Sequence, residues 1–385
     1  MSKFEEVQAK NRARRQRILD GKLNCIPLPF ERFRSIFPGF EQGKYIIITA
    51  NQKVGKSKLS DYLFIYEPLF YIVDHPEMNL KVKVLYFSLE MSADEKYNEF
   101  LCHLLLRLDG LHISTRDLRG VDRAYDPRID ELLNDETHQK YIRAFEDMVI
   151  FNDTDKNPTG INKKCRDYAL AHGHMNYITY QATNELTGEV ETKNGVDPIK
   201  PYTQDDEDEF RVILLDNAAN ITTEKGSDSK MAAIDKMSKY GITLRKQLNY
   251  IFVLIQHQAQ SQEGVENIKL DRMRPTTDGL GDCKTTSRDA NCVIGLFSPY
   301  KFKKKDYEEY DITKLQDYAR FMEVLEDRDY GANGSTCSLF FDGATSNFKE
   351  LPKATDIEGL KKYYRYIERL EQERLNPTLQ LTNPK

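Results

Sequence analysis

Apolar residues in this chain come in short dense runs separated by charged, polar stretches. Tyr45-Ile-Ile-Ile-Thr49 is uncharged, β-branched and too short for a helix, so it reads as a buried strand. The same reasoning predicts strands at Val82–Ser88, Val149–Phe151, Val212–Asp216, Ile251–Ile255, Cys292–Phe297 and Phe321–Leu325. Ser338–Phe341 pairs with the last of these across the Gly331–Gly334 turn. Helical patterns fill the gaps: Leu59 onward through Tyr62–Tyr66, Ser92 to Leu106, Ile161–Ala171 behind Asn157–Gly160, and Lys230–Leu248, with residues 116–149 polar and mostly helical. Ser92 and Glu95 are spaced as a capping box. Strands alternating with helices, closed by late strands on a short turn, predict an α/β fold: a mainly parallel sheet, helices on both faces, antiparallel strands at one edge.

The remaining stretches predict the periphery. Residues 3–20 form a charged helix with a thin stripe of Phe4, Val7, Ile18 and Leu19, either docked on a neighbour or frayed. Pro27–Phe37 connects, and Gly39–Gly43 turns into the first strand. Residues 184–210, ending in Asp205-Asp-Glu-Asp-Glu209, read as a mobile acidic loop, and 258–284 as a long polar loop. From Thr355 to about Leu375 a charged helix mixes Lys361, Lys362, Arg365 and Arg369 with Tyr363, Tyr364 and Tyr366. The expected division is an arm over 1–24, a core over 25–352 with the acidic insertion, and a helix and tail over 353–385. No internal repeat is visible.

Composition narrows the class. With 385 residues, 30% charged and 39% apolar, the chain has enough material for a large core. The formal net charge of -5 means that a nucleic-acid partner would be held by local basic patches. Six cysteines without a C-x-x-C pair point to neither a zinc site nor a disulfide framework. No signal peptide or membrane-spanning run is seen, so the expected location is the cytoplasm.

One segment carries recognisable chemistry. Ala50-Asn-Gln-Lys-Val-Gly55-Lys56-Ser57 lies where a buried strand hands over to a helix, as a phosphate-binding loop requires. The G-x-x-x-x-G-K-[ST] pattern is met except at its first position, which is Ala50. Backbone N–H groups over Ala50, Asn51, Gln52, Lys53, Val54, Gly55, Lys56, Ser57 and Lys58 would cradle ATP phosphates; Lys56 would reach the β/γ oxygens and Ser57 would hold Mg²⁺. Asp216 ends an apolar strand, where a carboxylate faces a ligand crevice or a metal, and is the expected second magnesium residue. Glu90 also follows an apolar strand. It would either polarise water or start a helix, and spacing does not choose between these.

Val84-Leu-Tyr-Phe-Ser-Leu-Glu-Met91 with Ser92 closely resembles the second motif of the RecA-like motor domain of DnaB-type replicative helicases. The resemblance runs from about Asn24 to Pro352. It takes in the lead-in Pro27–Gly43 and Met237–Arg245, similar to the helix after the metal-binding strand. It implies that Glu90 is the catalytic base. Ile255-Gln-His-Gln258 resembles the sensor segment, with Gln256 the preferred match and His257 the alternative one register away. Leu325-Glu-Asp-Arg328 resembles the Lys-x-Arg segment whose arginine enters the neighbouring subunit's site. Arg328 matches that arginine, whereas Glu326 stands where the family has lysine. Lys269, Arg272, Arg274 and Lys284, with Arg288 beyond, fall in a family DNA-binding loop, and Lys225 and Lys230 in a second, weaker one.

The resemblance thus implies an ATP- and Mg²⁺-dependent helicase or translocase on single-stranded DNA in replication, working as a homo-oligomeric ring, a hexamer, with a primase or loader as possible partner. The family's N-terminal helical domain is not matched, which fits a compact phage or mobile-element motor. Two alternatives remain. One is a non-helicase ATPase of the same fold, such as a recombination mediator or packaging accessory; the other is a catalytically weak nucleotide-binding assembly protein.

Overall fold

The computed structural model describes residues 2–121, 126–183 and 189–375. Its centre is a nine-stranded sheet. In chain order the strands are β1 (Tyr45–Ala50), β2 (Lys81–Ser88), β3 (Val149–Asn152), β4 (Glu209–Asp216), β5 (Ile251–His257), β6 (Cys292–Phe297), β7 (Ala319–Asp327), β8 (Thr336–Asp342) and β9 (Asn347–Glu350). Across the sheet they lie in the order β9-β8-β7-β6-β1-β5-β4-β2-β3. From β6 to β3 all neighbours are parallel, and β7, β8 and β9 add an antiparallel edge.

Burial explains why the sequence runs are so apolar. Each position of β1 is buried, because a central parallel strand is covered on both faces. Ile46 and Ile48 enter one core with Val84, Tyr86, Val212 and Leu214. Tyr45 and Ile47 enter the other with Leu85, Phe87, Ile213 and Leu215, following the two-residue strand period. The first face is covered by α2 (Lys56–Asp61), which runs through a π-helical turn at Tyr62–Tyr66 into Glu67–Asp74, and by α3 (Ala93–Asp109) and α4 (Glu136–Met148). The second is covered by α5 (Pro158–Ala171) and α6 (Lys230–Leu248). The expected α/β architecture is therefore present.

Boundaries moved where side-chain pattern carried little information. The strand expected at Phe321–Leu325 runs Ala319–Asp327, and β9 was not anticipated. Helix α3 continues past Leu106 to Asp109, where Gly110 (φ 70°) stops it in the left-handed region. Residues 258–284 contain a short helix at Val265–Lys269 and a bridge from Gln258 to Leu280.

The acidic loop is the main correction. Val190–Val196 pairs with Tyr177–Thr183 as an antiparallel hairpin, Tyr202–Gln204 pairs with Gly173–Met175, and Glu209 already belongs to β4. Residues 184–188 lie outside the described ones. The acidic run is neutralised largely by cations distant in sequence: Asp206 by Lys81 at 2.7 Å, and Asp208 by Lys22 at 2.7 Å and by Arg17. Glu209 pairs nearer by, with Arg211 at 2.7 Å.

The N-terminal helix α1 (Lys3–Leu19) is not frayed at its start, where Ser2 and Glu5 form a capping box; Arg14 and Arg17 fasten it to Glu41 and Asp208. Phe4, Val7, Ile18 and Leu19 remain exposed. The C-terminal helix α7 (Ile357–Leu375) buries Leu360, Ile367 and Leu370 against the antiparallel edge. No helix among the described residues is long and apolar enough to cross a membrane.

Candidate nucleotide site

Parallel strands carry their ligand crevice at their carboxyl ends, and the predicted chemistry gathers there. β1 ends at Ala50, which is level with His257 on β5; Asp216 on β4 is level with Ser88 on β2. The loop after Ala50 turns through Lys53 (φ 59°) and Gly55 (φ 104°) before Lys56 opens α2. Gly55 is required: a Cβ there would come within 2.9 Å of the Phe341 ring. Gln52 and Lys53 are exposed, whereas Asn51, Val54 and Lys56 are buried.

The charged groups are arranged around α2. Ser57 Oγ donates to Asp216 Oδ1 at 3.0 Å. Asp216 is buried, which raises its pKa, while Lys96, Ser57 and Lys56 act against that shift. Lys56 is lowered by burial, with Asp216 and Glu90 pulling it back. Its ammonium donates to no group among the described residues. Glu90 is exposed just past β2; Asn217, next to Asp216, donates to its carboxylate, and Leu89 N–H donates to the Asp216 carbonyl at 2.7 Å. Glu90 and Asp216 are thus bound together through adjoining loops.

Three observations bear on whether this loop suits a polyphosphate and a divalent ion. Both polar side-chain atoms of buried Asn51 lack a partner. Lys56 is a buried cation with only distant carboxylates to balance it. Gly55 takes a left-handed backbone (φ 104°), as a tight loop turning into a helix N-terminus requires. The donor set fits a phosphate-bearing ligand, with Ser57 and Asp216 the residues that would hold Mg²⁺ beside it.

Solved structures share this fold. The chain aligns with one described as an ATPase domain at a TM-score of 0.60 and 14% identity, over 91% of this chain and 100% of that one. It aligns with "The Structure Of A DnaB-Like Replicative Helicase And Its Interactions With Primase" at 0.58 and 13% identity, over 86% of this chain and 64% of that one. The fold is RecA-like. No protein-family model matches the sequence, and no curated protein does.

In this RecA-like core the two sensor candidates separate. Gln256 is buried, donates to the carbonyls of Gly281 (2.6 Å) and Cys283 (2.7 Å), and accepts from Thr286 Oγ1 (2.7 Å), so it holds the following loop. His257 is on the P-loop side: burial pushes its pKa down to about 4, with Lys56 adding to the shift, and its Nδ1 has no partner. Gln258 joins both, donating to Thr49 Oγ1 (2.9 Å) and to the Thr276 carbonyl (3.0 Å).

Lys269, Arg272, Arg274 and Lys284 are exposed on the 258–284 loop. Arg274 stacks over Tyr307 at 4.6 Å and pairs with Glu308 at 3.1 Å. Arg328 is not brought to the P-loop. It sits at the amino end of the parallel strands, where its N–H donates to the Asn291 carbonyl, and its guanidinium bonds Glu326 (3.0 Å) and the Arg288 carbonyl (2.9 Å).

Sequence reasoning missed several participants. Lys301 donates to the Gln52 carbonyl (2.8 Å) and to Glu263 (2.6 Å), linking the P-loop tip to the basic loop. Arg320, buried and stacked on Phe341 at 4.8 Å, donates to the Val54 carbonyl at 2.7 Å and braces the P-loop from below. Phe341 also lines a cavity of about 490 Å³ with His112, Asp317, Tyr318, Asp342 and Arg374. Beneath Asp216 lies a buried ionic knot of Lys96, Asp61 and Glu99. A signal existed: Lys96 lies at helical spacing from Phe100 and His103, and Arg320 at strand spacing from Met322 and Val324, so each is a charge on an apolar face.

Proposed function

We propose that the chain is an ATP-driven helicase or translocase acting on single-stranded DNA, assembled as a ring with the nucleotide between subunits. The observation that carries this reading is the spatial split: Lys56, Ser57, Asp216 and Glu90 meet at the carboxyl end of the sheet, while Arg328 lies at the amino end. Asp327 is level with Cys292, and Cys292 with Ile46, four positions before Ala50 on β1. At about 3.3 Å per residue, that is roughly 13 Å short of the P-loop along the strand. An arginine so placed serves a neighbour's site rather than its own.

The division of labour follows. The Ala50–Lys58 backbone binds the triphosphate. Lys56 neutralises charge on the γ-phosphoryl group, and Arg328 of the next subunit adds to this as charge develops. Glu90, steadied by Asn217, takes the proton of the attacking water. Mg²⁺ held at Ser57 and Asp216 would supply electrostatic stabilisation of the phosphates. Gln256 and Gln258 carry movement at the β5 tip into the 258–284 loop, whose Lys269, Arg272, Arg274 and Lys284 would contact DNA phosphates without reading sequence. A primase or loader is a compatible partner.

The Arg328–Glu326 pair favours a second reading: a nucleotide-binding assembly protein with weak turnover, in which the arginine stays on its own carboxylate. Measuring ATP hydrolysis with and without single-stranded DNA separates the two. The motor reading expects stimulation and salt-sensitive DNA binding. Absence of both at low salt sinks it.

A further inference from the structure

Lys96 projects from the inner face of α3 and is 2% exposed. Its ammonium lies 2.8 Å from Asp61 Oδ2 on α2 and 3.2 Å from Glu99 Oε2 on its own helix. The third carboxylate it faces is Asp216, with Oδ2 at 3.8 Å. The surrounding groups fix it in place. Tyr86 OH donates to Asp61 Oδ1 at 2.8 Å, and Lys58 donates to Glu99 Oε1 at 2.6 Å. Asp61 and Glu99 therefore hold the ammonium from one side while it confronts Asp216 on the other. The two oxygens of Asp216 are thereby distinguished: Oδ1 is shared with Ser57, and Oδ2 has a cation beside it.

We propose, resting on the reading of Asp216 as the magnesium acid, that Lys96 is a positioning residue that confines Asp216 to one metal-facing oxygen and so favours Mg²⁺ over Ca²⁺. Ca²⁺ accepts carboxylates through both oxygens and tolerates irregular shells, whereas Mg²⁺ demands compact octahedral geometry with single-oxygen contacts. An ammonium fixed beside Oδ2 repels a second positive ion from that oxygen. Stability alone does not call for a lysine, because apolar replacement of a buried ion pair is often neutral or stabilising. What ties Lys96 to the site is the third carboxylate, which belongs to another element and is already the partner of Ser57.

The test is binding of a fluorescent non-hydrolysable ATP analogue, titrated separately with Mg²⁺ and Ca²⁺. It compares the unmodified chain, Asp61→Asn, and the charge-balanced double variant Lys96→Met/Asp61→Asn, with folding checked by thermal melts. In the double variant the half-saturating Ca²⁺ concentration should fall relative to that of Mg²⁺ by about tenfold. Asp61→Asn alone should act differently, since Lys96 then leans further onto Asp216: both ions bind several-fold more weakly while the preference for Mg²⁺ is kept. Loss of a structural support would weaken both variants alike and would not change the ion ratio in the double variant only. Folded variants with unchanged ion dependence overturn the proposal. Should the double variant not fold, Asp61→Asn decides, and unchanged half-saturation there overturns it equally. Failure of the unmodified chain to bind the analogue with either ion would instead overturn the nucleotide-site reading.

Discussion

The two ends of the parallel sheet are built on opposite principles. At the carboxyl end, Asp216, Lys96, Asp61 and Glu99 are buried and held by groups from separate elements. At the amino end, Arg328 keeps a side chain 45% exposed and bonds a carboxylate two residues away. Buried charges cannot rearrange without leaving a partner uncompensated, at several kcal/mol each. An exposed pair is worth about 0–1 kcal/mol and yields to a better partner. One end is preorganised, and the other is free to exchange partners.

The sharpest way to break this comparison is to disable each end in a different chain. Lys56→Ala and Arg328→Ala should each lower ATP turnover by about 10³-fold or more. Mixing the two inactive proteins should restore part of the activity, because some interfaces then combine an intact P-loop with an intact arginine. A site completed within one chain gives no recovery, and steady-state hydrolysis of the mixture reads the difference.

The next effect lies beneath the preorganised end. Arg320 satisfies the carbonyls of Val54, Asp317 and Ala319 from a buried position. Arg320→Met keeps the volume but strips those carbonyls of their donor. Denaturant unfolding should show a loss of about 3 kcal/mol, accompanied by weaker nucleotide binding from a slackened P-loop.

Acid should also act first on the packed support. His103 is buried against Tyr66 (4.7 Å between rings), and burial lowers its pKa to about 4. The unfolded chain protonates it near 6.5. The unfolded state therefore takes up the proton first, so this stability is full above pH 6.5 and is lost as pH falls toward 4. By pH 5 the loss is roughly 2 kcal/mol. His103→Phe should flatten that portion of the stability profile measured between pH 7 and 5.

The contrast also separates what the sequence disclosed from what it did not. Strand cores, and the placing of the loop after Ala50, Asp216 and Glu90 at strand ends, were legible because each is local: an apolar run, or a polar residue closing one. The knot under Asp216 was not, since Asp61 and Lys96 stand 35 positions apart, and the apolar face around Lys96 marks it as buried without naming its partner. Distant pairing likewise hid the strands within 184–210, where Lys81, Lys22 and Arg17 neutralise the acidic run. For Gln256 and His257 the obstacle was the two-residue strand period, which reverses facing with a single step of register. Packing assigns Gln256 to the loop and His257 to the P-loop side.

The smallest expected effect probes the adaptable end most directly. Glu326 stands where the sequence resemblance leads one to expect lysine, and in the free chain it holds the Arg328 guanidinium through two contacts, at 3.0 and 3.2 Å. If Arg328 serves a neighbouring site, it must first leave Glu326, and the pair is then a brake of at most about 1 kcal/mol. Glu326→Gln weakens the hold without adding charge, so turnover in the assembled state should rise by no more than about fivefold, with nucleotide affinity unchanged. The gain should vanish in Arg328→Ala/Glu326→Gln, because the brake has nothing left to restrain. A gain that survives without Arg328 would place the effect of Glu326 elsewhere on that surface. No gain at all would mean that leaving the carboxylate costs nothing measurable, and that the reversed charge at 326 is compatible with a fully working shared site.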